Sequence, residues 1–149
     1  MDVIIASGSP RRKVLLRKIV RAFAVQPARI NERLLHGESF ARACVRLAEE
    51  KARNVSRKRP GAIVIGADTI AYRGKKIYRK TESARAARAI LLELSGKTHH
   101  VITGVAVVFP NGKCVKYFVR AAVLMRKLTP ELLEWYMRGG EWKGRAGSY

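Results

Sequence analysis

Apolar and polar positions along this chain fall into short blocks whose period changes several times. Residues 2–6, apolar after Asp2, read as a buried strand, closed by a polar turn at 7–10. The pattern then predicts a helix over 10–20, a short strand at 23–26 and a loop at 27–37. A long helix is predicted over 38–57, with Phe40, Cys44, Leu47, Ala48 and Val55 on one face. Pro60-Gly61 breaks the chain before a second buried strand at 62–66. Residues 69–72 and 76–78 flank Arg73-Gly74-Lys75 and read as a hairpin. Helical spacing returns at 82–94, where Ala87, Ile90, Leu91 and Leu94 face inward and Ser95-Gly96 ends the element. Strands at 101–109 and 114–125 meet at Asn111-Gly112, a strong turn pair. Thr129 caps a last helix over 130–138. Strands and helices in this mixed order predict an α/β or α+β domain.

Length and composition narrow the picture. The chain of 149 residues has the size of one domain, and 48% apolar content suffices for a core. Apolar runs such as 62–65 and 105–109 are far too short to cross a bilayer, so no membrane association is expected. Residues 1–5 pass at once into a polar turn, which is not a signal-peptide pattern. Cys44 and Cys114 lie in unrelated segments, an arrangement that suits a reducing cytoplasm better than a disulfide or zinc framework. Lys and Arg total 31 against 11 acids, a net charge of +20. Such a field attracts polyanions and speeds their encounter. It leaves open whether the anion is a nucleotide, a nucleic acid or a lipid head group.

Ser7-Gly8-Ser9-Pro10-Arg11-Arg12 stands out. A strand ends, a small flexible turn follows, and a helix starts with Ser9 at the N-cap and Pro10 at the first helical position. Helix starts of this kind bind anions through backbone N–H groups. Arg11 and Arg12 sit where the helix dipole disfavours cations, a cost that an anion between them offsets. The plainer alternative is an ordinary cap followed by solvated arginines.

The acids sort by position. Glu38, Glu82 and Glu131 fall in helix first turns, where the dipole favours them. Glu49, Glu50, Glu93 and Glu134 lie along helices, and Asp2 and Glu141 near the ends. Glu32, in a loop, and Asp68, at the predicted C-terminal end of a buried strand, remain. Ligands of α/β sheets gather at that end. A carboxylate there can coordinate a divalent metal or take a proton from water, or simply cap a turn. Lys51 shares the apolar face of the long helix, where a lysine either snorkels to the edge or reaches toward an anion. Lys80 lies in a loop after the hairpin, as a binding residue or one more surface lysine. His99 and His100 point to opposite faces of a strand and cannot chelate one metal together; with His36 they read as structural or surface residues.

Taken in order, these segments resemble the Maf-like nucleotide pyrophosphatase family, the septum-formation-inhibitor type. Residues 6–12 look like its opening phosphate-loop signature, and Asn31-Glu32 like its acidic loop pair. Leu47-Ala48-Glu49-Glu50-Lys51-Ala52, Gly66-Ala67-Asp68-Thr69, and Lys80 after a hairpin match further blocks. So do Ser95-Gly96, residues 100–105 and residues 143–149. Asn31 departs from the usual acid, and Arg79 and Thr81 flank Lys80 where the family has Gly and Pro.

The resemblance implies a mixed, elongated, twisted sheet with flanking helices and two lobes around a cleft, the Maf/ITPase-like α/β fold, often as a homodimer. It implies hydrolysis of nucleoside triphosphates at the α–β linkage. Asp68 would be the proton acceptor and, with Glu32, would hold Mg²⁺ or Mn²⁺. Lys51 and Lys80 would act beside them. Ser7, Gly8, Ser9, Arg11, Arg12 and Thr69 would bind the substrate. Arg11 and Thr69 are similar to the branch acting on dTTP and UTP rather than on methylated GTP. Family members continue past position 149 with a segment that adds sheet structure. The chain is therefore expected to be a single domain over 1–149 without that segment, with an exposed sheet edge that favours dimerisation or aggregation. The competing expectation from the +20 charge is a non-catalytic, nonspecific nucleic-acid-binding protein.

Overall fold

A computed structural model describes residues 1–149. The strands are β1 (Val3–Ile5), β2 (Ala24–Val25), β3 (Ile63–Arg73), β4 (Lys76–Tyr78), β5 (Thr98–Val108) and β6 (Cys114–Leu124). The helices are α1 (Pro10–Arg17), α2 (Phe40–Ser56), α3 (Ala84–Leu94) and α4 (Pro130–Gly139), followed by a 3₁₀ turn at Ala146–Ser148. The sheet runs β2-β1-β3-β5-β6, with β4 paired to β3. It is mixed: β1 is parallel to β2 and β3, while β4 is antiparallel to β3. This is the expected mixed α/β fold, a twisted sheet with flanking helices.

The chain separates into two compact units. The first comprises Met1–Asp68 and Thr103–Val119, the second Thr69–Ile102 and Arg120–Tyr149. In the first unit α2 carries the core. Ala43, Cys44, Leu47, Ala48, Ala52 and Val55 are buried along one face of it, the stripe that the helical period demands. Ala48, Ala52 and Val55 pack with Ile4 and Ala6 of the β1 segment, Ala62 and Val64 of the β3 segment, and Ala106 and Val108 of β5. Two glycines let helix and strands approach closely. A Cβ at Gly66 would stand 2.1 Å from the Ala48 carbonyl oxygen, and one at Gly104 would stand 2.4 Å from the Cys44 carbonyl carbon. In the second unit Ala71, Tyr78 and Leu94 form a smaller core, joined by Ile90, Val101, Met125, Ala146 and Tyr149.

Several elements differ from the expectations drawn from the pattern. Residues 62–66 and 69–72 were expected as separate strands but belong to one eleven-residue strand, so Asp68 lies within β3 rather than at its end. The expectation keeps a physical core, because parallel pairing with β1 stops at Ile5↔Ile65 and Asp68 lies beyond it. The helices α2 and α3 start after Ser39 and Ser83, whose hydroxyls accept from Arg42 N and Ala86 N. Glu38 and Glu82 therefore precede their helices instead of occupying first turns; Glu131 does occupy one. Glu38 turns back to bond Arg46, which holds its carboxyl below the ordinary range. His99 is fully buried on β5 and His100 half-buried. The His99 Nε2 lies 2.5 Å from the Tyr149 hydroxyl, so His99 is structural rather than superficial. No helix is long and apolar enough to cross a membrane.

Candidate active site

The first unit assembles most of the residues singled out above. Where β1 ends, the chain enters the turn that leads to α1. Ser7 is buried, and its hydroxyl accepts from Ser9 N at 3.3 Å. Ser9 holds the extended N-cap conformation but makes no side-chain cap bond, contrary to the simplest cap reading. Ser7 supplies the local hydroxyl instead. Gly8 is exposed, and a Cβ there would meet only Pro27 Cγ at an ordinary 3.6 Å. Arg11 is exposed at the helix start.

Arg12 turns inward. Its Nη1 donates to Ser7 Oγ at 3.1 Å and to the Ala67 carbonyl at 2.8 Å. One guanidinium nitrogen thus ties the turn to β3, at the residue before Asp68. Burial pulls the Arg12 guanidinium below its ordinary value, while Asp68 and then Glu32 pull the other way. It remains protonated in any case. The simple alternative of a solvated Arg12 does not hold.

Lys51 does not snorkel. The residue is 7% exposed, and its Nζ bonds Asp68 Oδ1 at 2.5 Å and Glu32 Oε1 at 2.8 Å. The position follows from the backbone. Gly66 lies against Ala48 and Ala52, which bracket Lys51 on α2, and Asp68 sits two residues further along β3. Asp68 is 8% exposed, whereas the Glu32 side chain is 58% exposed. One ammonium therefore joins a buried carboxylate to one that reaches solvent. Asn31 Oδ1 accepts from Arg33 N, which shapes the loop that presents Glu32.

The donor set decides what kind of metal fits. No three His, Cys, Asp or Glu residues gather as a ready-made cage. Asp68 and Glu32 do converge on a single point, now held by Lys51 Nζ. Mg²⁺ is commonly bound by one or two carboxylates together with substrate phosphates and waters. The residues thus fit an ion that arrives with a polyphosphate and would displace the ammonium from between the carboxylates.

Thr69 and Lys80 belong to the second unit: Thr69 is half-buried on β3, and Lys80 is exposed after β4. No sequence signal pointed to Arg12 as the brace between Ser7 and Ala67, because its second acceptor is a backbone carbonyl 55 residues away. Gly66 was legible in principle, since a glycine inside an apolar strand signals close backbone approach.

Comparison with known proteins places these residues in context. Residues 2–149 match the family described as Maf-like protein. A dTTP/UTP pyrophosphatase of Paramagnetospirillum magneticum is 38% identical over 99% of this chain and 78% of its own length. A dTTP/UTP pyrophosphatase of Pyrococcus horikoshii is 40% identical over 100% of this chain and 78% of its own. Among solved structures, the nucleoside-triphosphatase, or dITP/XTP pyrophosphatase, of Mycobacterium abscessus aligns over 95% of both chains with a TM-score of 0.52 and 18% identity, a likeness of fold.

Proposed function

Because the chain belongs to the Maf-like family, we propose that it hydrolyses nucleoside triphosphates to monophosphate and pyrophosphate, with dTTP and UTP as its substrates. The observation that carries this reading is the convergence of Asp68, Glu32 and Lys51 in the unit where Arg12 braces the Ser7 turn against β3. An amide-lined turn with arginines grips phosphate, and a buried carboxylate beside it activates water. These are the two parts that anhydride hydrolysis requires.

In this mechanism Asp68 orients a water molecule and accepts its proton as the oxygen attacks the α-phosphorus. The bond to the bridging oxygen breaks, and pyrophosphate departs with the electron pair. Lys51 fixes the Asp68 carboxylate until substrate and metal arrive, and once displaced it neutralises phosphoryl charge. The turn at Ser7–Ser9 and Arg11 hold the leaving group, and Arg12 keeps that turn in place. Preorganised positive charge of this kind usually contributes more to such catalysis than any other single effect. Asp68 and Glu32 would hold Mg²⁺ or Mn²⁺, which would supply further charge neutralisation at the reacting phosphate. Lys80 and Thr69 take their parts, on leaving group and base, from the family resemblance. The setting is the cytoplasm, where Cys44 and Cys114 remain thiols.

Hydrolysis in ¹⁸O-labelled water tests the bond assignment. The label must enter the nucleoside monophosphate; label in pyrophosphate would mean attack on the β-phosphorus. The +20 charge supports a second, weaker engagement with nucleic acid. Its signature is affinity for a random oligonucleotide that falls steeply with salt, and turnover by the same preparation separates an enzyme with a basic surface from a binding protein.

A further inference from the structure

Charge in the first unit is unevenly matched. Glu38 and Glu50 are held by Arg46, Glu32 and Asp68 by Lys51, and Glu49 by Arg53 and Lys116. Asp2 is the one carboxylate of the unit left over. Arg21, Arg29, Arg57, Lys58 and Arg59 are exposed, and none of them holds any of these paired acids. Two contacts gather these cations along one path. Arg59 Nε donates to Gln26 Oε1 at 2.8 Å, and Arg29 N donates to Asn54 Oδ1 at 3.4 Å. Residues 26–29 therefore run beside the C-terminal end of α2. The carbonyls that end α2 favour cations close to it, but Arg21 and Arg29 come from a different segment. A groove of about 710 Å³, within the range of ligand sites, lies against both segments. Lys58, Arg59 and Asp2 line it together with Phe23, Pro60 and Ala62. It opens where β1, β2 and β3 begin, whereas the Ser7 turn follows the end of β1. The extended chain from Asp2 to Ser7 separates the two places by roughly 16 Å.

We propose that this groove binds single-stranded nucleic acid, apart from the place where triphosphate is hydrolysed. The proposal rests on the nucleic-acid engagement that the +20 charge supports, and gives it a location. Single-strand sites combine a cationic track for the backbone with an aromatic surface on which bases stack. Here Arg21, Arg29, Arg57, Lys58 and Arg59 supply the track, and Phe23 with Pro60 and Ala62 supplies the apolar surface. Arginine suits the first task, because its planar fork pairs phosphate oxygens two at a time. A duplex would meet the cations with its phosphates but keep its stacked bases away from Phe23. An acidic peptide offers carboxylates but no succession of flat rings. The single negative charge of Asp2 leaves the groove strongly positive. Each phosphate neutralised on a single strand adds about 0.7 to the steepness of log affinity against log salt, so full use of these cations gives a slope of about −3.5.

Fluorescence anisotropy with a labelled oligothymidylate of about 16 nucleotides, the length of a large single-strand site, tests the proposal. Titrations across about 50–200 mM salt should give that slope for the wild type. The triple variant Arg57→Gln, Lys58→Gln, Arg59→Gln should flatten the slope by about 2 and weaken binding at least tenfold at the lowest salt. Lys75→Gln, Arg85→Gln, Lys97→Gln removes equal charge from exposed positions of the second unit and should change binding little. Phe23→Leu keeps apolar volume and removes the ring. It should weaken the oligonucleotide about tenfold and leave inorganic polyphosphate unaffected. Circular dichroism checks folding, and turnover at saturating dTTP should match wild type in all three variants. Equal losses in the two triple variants would mean diffuse attraction, which overturns the groove and leaves nucleic-acid binding in place. A duplex of the same length bound more tightly, or an unchanged Phe23→Leu, would overturn the single-strand assignment. A parallel loss of turnover in the groove variant would overturn its separation from the hydrolytic site. No binding even at low salt would overturn both the groove and the nucleic-acid engagement on which it rests.

Discussion

Replacing Gly66 by alanine puts a methyl group where helix and strand already touch. The new Cβ would stand 2.1 Å from the Ala48 carbonyl oxygen and 2.8 Å from Ala52 N. Both are backbone atoms within α2, so neither can swing aside as a side-chain tip would. A relaxed C···O contact needs about 3.3 Å, so α2 and β3 must part by roughly 1 Å. Forcing extra volume into a packed core costs about 1–3 kcal/mol, and with backbone on both sides the upper end applies. The same separation draws Lys51 away from Asp68, a contact of 2.5 Å. Misplacing a catalytic group by about 1 Å costs on the order of 100-fold in rate. Urea denaturation and pyrophosphate release measure the two effects on one preparation. Gly8→Ala is the control for stability, because its Cβ meets Pro27 at an ordinary 3.6 Å; it should unfold at nearly the wild-type midpoint. A Gly66→Ala protein with wild-type stability and turnover would show that the close approach does not position Lys51.

The remaining predictions concern charge and anchoring. Lys51→Met leaves the 8%-exposed Asp68 without its cation and should cost about 3 kcal/mol by denaturation, as breaking a buried pair does. Adding Asp68→Asn should recover part of that loss, and a double variant no better than the single would contradict the pairing. Arg12→Ala should leave the core intact yet speed amide exchange at residues 7–9 and lower turnover at least tenfold; unchanged exchange would remove Arg12 as the brace. Burial lowers the His99 pKa from its ordinary 6.5, so the unfolded chain binds that proton more readily than the native one. The resulting stability is complete above pH 6.5 and is lost as pH falls below it. The thermal midpoint should therefore drop through that window, and more shallowly in His99→Gln.

Much of the fold was legible because periodicity survives burial. The stripe Cys44, Leu47, Ala48 and Val55 predicted the buried face of α2, and Arg73-Gly74-Lys75 the tight turn between β3 and β4. Asp68 was found by elimination among the acids, but its place within β3 was not. Gly66-Ala67-Asp68-Thr69 interrupts the apolar run, and a polar interruption reads as a turn unless the packing of α2 on the glycine is known. Lys51 was visible as a charge on an apolar face, while the choice between snorkelling and an inward ion pair needed the distance to Asp68. Glu38 and Glu82 misled because Ser39 and Ser83, one residue on, are the stronger caps. Arg12 escaped for a different reason: its role depends on a backbone acceptor that no local pattern encodes.

The central claim is that Asp68, set by Lys51 beside the phosphate-gripping turn, activates water for attack on a nucleoside triphosphate. The most direct measurement is single-turnover release of pyrophosphate from dTTP and UTP with Mg²⁺ or Mn²⁺, comparing wild type with Asp68→Asn. Wild type should yield monophosphate and pyrophosphate in equal amounts, and Asp68→Asn should be slower by about 100-fold or more, the span general-base catalysis commonly supplies. Equal rates in the two proteins, or no pyrophosphate from wild type with either nucleotide and either metal, would contradict the account.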